Sequence, residues 1–170
     1  MKLLLTLILI FTSTIAQAKN NHSKAYIKML LVENARKSSY VTPALALSVA
    51  AVESSFRSNV ISSKGAVGVM QIMPRTALLE FGVPKKDLFN PIINIKIGVK
   101  FLDGLIKKYK GDIGIALSHY NGGSAVGRWP NVKIIPATYP YVLKVLRNSN
   151  KLGMQTPTLL RIKNTRINKF

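Results

Sequence analysis

Glu53 closes an almost unbroken apolar run, Ala44-Leu45-Ala46-Leu47-Ser48-Val49-Ala50-Ala51-Val52, in a chain of 170 residues that carries only six carboxylate side chains. On a helix it continues the row of Ala46 and Ala50, and these small residues leave room beside the carboxyl group. Burial among aliphatic groups disfavours the ionised form and raises a glutamate pKa, which keeps a proton available near neutral pH. A general acid needs that property. The residues leave a second reading open, in which Glu53 merely pairs with one of the many Lys or Arg residues, Arg57 being four positions on. Capping does not account for it, because a carboxylate opposes the macrodipole at a helix C-terminus.

Two further stretches carry groups suited to a polar ligand. In GAVGVMQIMP, residues 65–74, Gly65 and Gly68 lead into Met70, Gln71 and Met73. Gln71 offers both donors and an acceptor, which suits neutral hydroxyl and acetamido groups. Methionines are ordinarily core filler, and that holds for at least one of these. In SHYNGG, residues 118–123, Tyr120 and Asn121 stand side by side at a helix end, where the glycines permit a tight turn.

The elements that must position these groups are helical. Tyr26, Ile27, Leu30, Leu31 and Ala35 recur at helical spacing between residues 23 and 37, which predicts an amphipathic surface helix. Thr42-Pro43 supplies a cap and a first-turn proline for the apolar run that ends at Glu53, and a helix apolar nearly all round belongs in the core. Residues 57–68 loosen into Ser, Asn and Gly and predict a loop or a few short strands. Pro74 opens a short helix stopped by Gly82; Asn90-Pro91 starts a long one to about Tyr109; Asp112 caps another that ends at Tyr120-Asn121; the last begins near Tyr139-Pro140. The expected fold class is mainly α, one helical domain with a small β-sheet or loop region after the helix of Glu53.

The length suits a single core. Residues 1–18, MKLLLTLILIFTSTIAQA, combine one Lys, an apolar stretch and a small-x-small exit, and they read as a cleaved secretory signal. An uncleaved anchor is the alternative, but the apolar run falls short of the roughly 20 residues that span a bilayer. The expected organisation is a signal over residues 1–18, a catalytic domain over 19–148 and a basic tail over 149–170, mobile or loosely docked. No cysteine is present, so stability must come from packing. The formal charge of +19 should draw the protein to polyanions such as nucleic acid, anionic headgroups or the carboxylate-bearing peptides of a bacterial wall.

In this order and spacing, the motifs resemble the lytic transglycosylases of the soluble type, whose catalytic domain belongs to the lysozyme-like superfamily. The resemblance runs from about Tyr40 to Leu146 and rests on four marks. These are Glu53-Ser54, then Gly68-Val69-Met70-Gln71-Ile72-Met73-Pro74, then Asn90-Pro91 with Asn94-Ile95 and Gly98, and finally Tyr120-Asn121. It implies a substrate, the β-1,4 linkage between N-acetylmuramic acid and N-acetylglucosamine in peptidoglycan. It also implies a one-carboxyl mechanism in which Glu53 protonates the glycosidic oxygen and then activates the muramic C6 hydroxyl, closing a 1,6-anhydro ring. Ordinary glycosidases use two carboxylates, and none of the other five acids, Glu33, Glu80, Asp87, Asp103 and Asp112, lies in a matched motif. By the same resemblance Tyr120 hydrogen-bonds near Glu53 to hold its position, while Ser62, Met70, Gln71 and Asn121 line the glycan groove. Ser54 supports the end of the Glu53 helix.

Two departures from the family pattern stand out. His119 occupies a position where many members carry Ala, and it is expected to be a satisfied wall residue. Ala137-Thr138 replaces a frequent Glu-Thr pair, which removes a carboxylate from the outer part of the substrate site. The chain holds no metal-binding motif and only two histidines, and no Lys-Ser/Thr follows the glycines, so no cofactor is expected. The expected location is the periplasm or cell envelope, with peptidoglycan strands as partner, and no nucleic acid or stable membrane span after signal cleavage. The small size is similar to that of family members that open local gaps for secretion or conjugation machinery, and the resemblance makes such local wall remodelling an expectation. Competing readings are a lysozyme-like hydrolase on the same fold and a non-catalytic basic protein that binds wall or other polyanions.

Overall fold

A computed structural model describes residues 23–153 except Trp129. The expected signal, and the tail from residue 154 onward, lie outside the described residues. Among the described residues six α-helices follow in order: α1 (Lys24–Arg36), α2 (Pro43–Glu53), α3 (Pro74–Phe81), α4 (Pro91–Lys108), α5 (Ile113–Gly122) and α6 (Tyr139–Lys151). Short 3-10 turns at Lys85–Phe89, Gly123–Val126 and Pro136–Thr138 link the later helices.

The start signals act as the sequence predicts. The Thr42 hydroxyl accepts from the Leu45 amide, Asn90 from Ile92 and Asp112 from Ile115, each satisfying an amide that the first helical turn leaves without a partner. Gly82 ends α3 in the left-handed conformation at φ 66°. Helix α2 is the hub, flanked by α1 and α6, while α4 packs on α1 and α5. Its Leu45, Ala46, Val49 and Ala50 are fully buried, together with Ile27 and Leu31 of α1, Leu102 and Ile106 of α4 and Leu117 of α5. An apolar helix at the centre of such a bundle needs no polar face.

The region after α2 forms no sheet among the described residues. It makes two single antiparallel bridges, Ile61 to Val67 and Val67 to Ile72, and is otherwise a compact loop. Helix α6 runs to Lys151, beyond the expected domain boundary at residue 148. Ser149 follows Val142, Val145 and Leu146 on the apolar stripe and is fully buried, so the first three residues assigned to the tail belong to the helix.

Candidate active site

Helix α2 delivers Glu53 at its last residue, and the chain then reverses through two non-glycine left-handed residues, Ser55 at φ 53° and Phe56 at φ 65°. Such residues are uncommon and mark a turn over-determined by its surroundings. Here the surroundings are Ser54. Its buried hydroxyl donates to the Val69 carbonyl at 2.7 Å and accepts from the Arg57 amide at 3.1 Å, tying the helix end to the loop of residues 60–72. The Arg57 Nε donates to the Ser54 carbonyl at 2.9 Å. The expected alternative ion pair is therefore not made, and among the described residues no cation pairs with Glu53.

What Glu53 has instead is a phenol. The Tyr141 hydroxyl, from the first turn of α6, donates to Glu53 Oε1 at 2.7 Å. Burial raises the Glu53 pKa to about 7, and the Tyr141 hydrogen bond opposes part of that rise. Because Oε1 already accepts, the proton of the neutral acid sits on Oε2, the oxygen with no protein partner among the described residues. Tyr141 and Tyr120 are themselves raised well above the usual phenol range, by burial first and then by the negative field of Glu53. Both remain neutral donors wherever Glu53 titrates.

Tyr120 plays a different part from the one expected. Its hydroxyl donates to the Met70 carbonyl at 2.7 Å, and its ring packs on Phe101 with centroids 5.4 Å apart. It pins the Met70–Gln71 loop beside Glu53, while Tyr141 makes the direct bond to the carboxyl. The expectation that the Met70 thioether lines the groove is corrected: the side chain is fully buried and packs where Gly98 has no Cβ. A Cβ at Gly98 would lie 2.6 Å from its sulfur. The accessible methionine of the motif is Met73, at 42 % exposure.

Gln71 is half-buried in the left-handed region at φ 50°, and its amide nitrogen donates to the carbonyls of Gly68 at 2.9 Å and Val60 at 3.2 Å. Its side-chain oxygen remains as an acceptor. Ser62 closes the turn ahead of it, with its hydroxyl accepting from the Ala66 amide at 3.0 Å. Asn121 is exposed at the end of α5. Gly68, at φ +82°, passes so close to the loop's support that a Cβ would fall 2.4 Å from Asn94 Nδ2 and 2.5 Å from the Leu88 carbonyl.

His119 makes no hydrogen bond to Glu53, Tyr120 or Tyr141 among the described residues. Its Nδ1 shares a 2.6 Å hydrogen bond with the Tyr109 hydroxyl, and its pKa is lowered by burial and then by the Lys108 charge. Thr138, beside the exposed Ala137, is bound into a buried network. Its hydroxyl donates to the Ile135 carbonyl, so the Ser118 hydroxyl donates to Thr138 and accepts from the Ile135 amide. Among the described residues no three His, Cys, Asp or Glu side chains stand together to hold a metal, and no helix is long and apolar enough to cross a membrane.

The family model of the Transglycosylase SLT domain matches residues 30–133, which include Glu53, the 60–72 loop and Tyr120. The chain belongs to this family. Among similar sequences, a transglycosylase of Enterobacteria phage PRD1 is 36 % identical over 110 residues, covering 65 % of this chain and 38 % of the phage protein. Membrane-bound lytic murein transglycosylase C of Glaesserella parasuis serovar 5 is 31 % identical over 114 residues, covering 54 % of this chain and 31 % of that protein. This SLT domain protein thus spans less than two-fifths of the length of either relative. Two solved structures share the fold at 26 % identity over 76 % of this chain and 25 % of theirs. They are an inactive mutant of the lytic transglycosylase Slt of Pseudomonas aeruginosa, with a TM-score of 0.63, and the 70 kDa soluble lytic transglycosylase of Escherichia coli, with a TM-score of 0.62.

Tyr141 is the residue that sequence reasoning passed over. It follows Pro140 in the first turn of α6 and precedes Val145 by four residues, which puts it on the inward face. That signal was legible, but its target depends on α6 running back along α2. Tyr141→Phe is expected to move the basic limb of the pH–rate profile upward, because loss of the donated bond removes the factor that lowers the Glu53 pKa. A limb that stays in place would mean that the phenol does not act on the carboxyl.

Proposed function

We propose that this SLT domain protein is a peptidoglycan lytic transglycosylase with Glu53 as its acid and base. The observation that carries the reading is a single carboxyl group with a pKa of about 7, fixed at one oxygen by Tyr141 and available at the other. Near neutral pH both protonation states are populated, so one group can give a proton and then take one. In the first step the Glu53 proton passes to the glycosidic oxygen as the bond from muramic C1 to that oxygen breaks. In the second, the carboxylate takes the C6 hydroxyl proton as O6 bonds to C1. The enzyme ends protonated, a 1,6-anhydromuramoyl end is formed and no water is consumed.

Two of the other acids have structural work of their own: Asp103 accepts from the Ser38 hydroxyl and the Tyr40 amide, and Asp112 caps α5. Gln71, Ser62 and Asn121 are proposed to line the glycan groove, with Gln71 offering its free oxygen to a hydroxyl or an acetamido N–H. The experiment is mass spectrometry of muropeptides released from purified peptidoglycan, run beside Glu53→Gln. Anhydromuramoyl products that vanish in the variant are expected. Reducing-end products would make the protein a hydrolase on the same scaffold, and no release by folded protein would leave a wall-binding role.

Residues 1–18 are proposed as a cleaved signal that sends the protein to the cell envelope, where it would open the wall locally for a secretion or conjugation apparatus. Envelope protein that begins at Lys19, and failure of such an apparatus to assemble when the gene is deleted, are the expected outcomes.

A further inference from the structure

A concavity lies on the far side of α2 from the carboxyl group. At about 100° of rotation per residue, Leu47 and Ala51 stand roughly 120° to 160° round the helix from Glu53. With Ser48 and Phe56 they form the floor of an open cavity of about 280 Å³, rimmed by Lys28 of α1 and by Asn148, Lys151 and Leu152 at the end of α6. The floor is apolar and the rim is cationic. Lys28 Nζ sits 4.9 Å from the centroid of the Phe56 ring, and Leu152 is 56 % exposed. None of the lining residues is acidic, and no described carboxylate pairs with Lys28 or Lys151. The Asn148 side-chain amide also has no described hydrogen-bond partner.

We propose that this cavity docks an acidic peptide segment of a partner protein, one that inserts an apolar side chain and sets carboxylates against Lys28 and Lys151. The volume is of the order of one or two large side chains, at the small end of ligand pockets. The two unpaired ammonium groups call for negative charge beside that side chain. An amide such as Asn148 can meet both the N–H and the C=O of a peptide backbone. The chain's own tail is a poor occupant. Residues 154–170 carry Arg161, Lys163, Arg166 and Lys169 and no acid, and would bring like charge to the rim. A concave pocket also receives a side chain more readily than it embeds in a lipid surface, which calls for a protruding apolar face.

The test pans a displayed library of random peptides on the full chain and measures the enriched peptides, made synthetically, by fluorescence anisotropy. Enrichment of an aromatic or aliphatic residue flanked by Asp or Glu is expected. Affinity should fall about tenfold or more in Lys28→Glu/Lys151→Glu, and by much less in Lys96→Glu/Lys100→Glu, the same charge change on the exposed face of α4. Ala51→Met, which fills the cavity floor, should weaken the peptide while peptidoglycan cleavage persists. Enriched peptides without acids, or equal losses in the two charge reversals, would overturn the proposal. So would phosphatidylglycerol vesicles that need Lys28 and Lys151 while no peptide does, which would indicate a membrane contact. A large gain in peptide affinity on deleting residues 154–170 would make the tail the resident occupant.

Discussion

Glu53→Gln is expected to lower the rate of glycan cleavage by about 10³-fold or more and to leave a protein more stable than the parent above neutral pH. The loss is large because in the proposed mechanism one group would serve both proton transfers, each of which general catalysis accelerates about 10² to 10⁴-fold. The gain in stability follows from the same desolvation that makes the acid. The Glu53 pKa rises from 4.5 to about 7 on folding, so the native state binds the proton more tightly than the unfolded chain. Stability is then undiminished below about pH 4.5, falls as pH rises through the interval to 7, and levels off above it, for a total loss of roughly 3 kcal/mol. An amide stays neutral throughout and can still accept the Tyr141 hydrogen bond. Denaturant unfolding from pH 4 to pH 8 should show the two alike at the acid end and the variant gaining on the parent by the full amount as pH rises to 7, with the His119 contribution common to both. Parallel curves would mean that Glu53 is well hydrated and that its proton is held by other means.

Asn94→Leu is expected to destabilise the fold by about 3 to 5 kcal/mol and to abolish activity with it. Asn94 is fully buried at the start of α4 and holds the loop that faces Glu53. Its Oδ1 accepts from the Met70 amide at 2.8 Å, and its Nδ2 donates to the carbonyls of Val67 and Leu88, each at 2.9 Å. Leucine of similar size would leave the buried Met70 N–H and Leu88 carbonyl without partners, each costing about 1 to 3 kcal/mol, while the Val67 carbonyl keeps the Ile72 amide. The Met70 carbonyl that receives the Tyr120 phenol, and the left-handed turn at Gln71, sit on that same loop. Chemical denaturation and muropeptide release measured on one preparation would check both effects. A loss below about 1 kcal/mol would show that the loop satisfies these groups in another way.

The helices were legible because their signals are local. Thr42-Pro43, Asn90-Pro91 and Asp112 each announce a helix start through a side chain and the amides of the next turn, and each forms the cap expected. The desolvation of Glu53 was legible for a related reason. A carboxyl at the end of nine residues that are apolar but for Ser48 has little water available to it in any compact fold. Met70 was misjudged because a methionine in a glycine-rich motif has the same sequence signature whether its thioether faces a groove or fills the space over Gly98.

By itself, the sequence determined the order of the helices, the isolation of one desolvated acid and the family to which its motifs belong. These rest on patterns repeated within a few residues, where backbone geometry alone decides which side chains share a face. Tertiary structure alone decided that Tyr141, 88 positions from Glu53, is its hydrogen-bond partner, that Tyr120 holds a carbonyl, and that Asn94 carries the loop. Each of these contacts joins segments distant in the chain. Their identity is set by how α2, α4, α5 and α6 close over a shared core, and no local periodicity encodes which polar group will then face which.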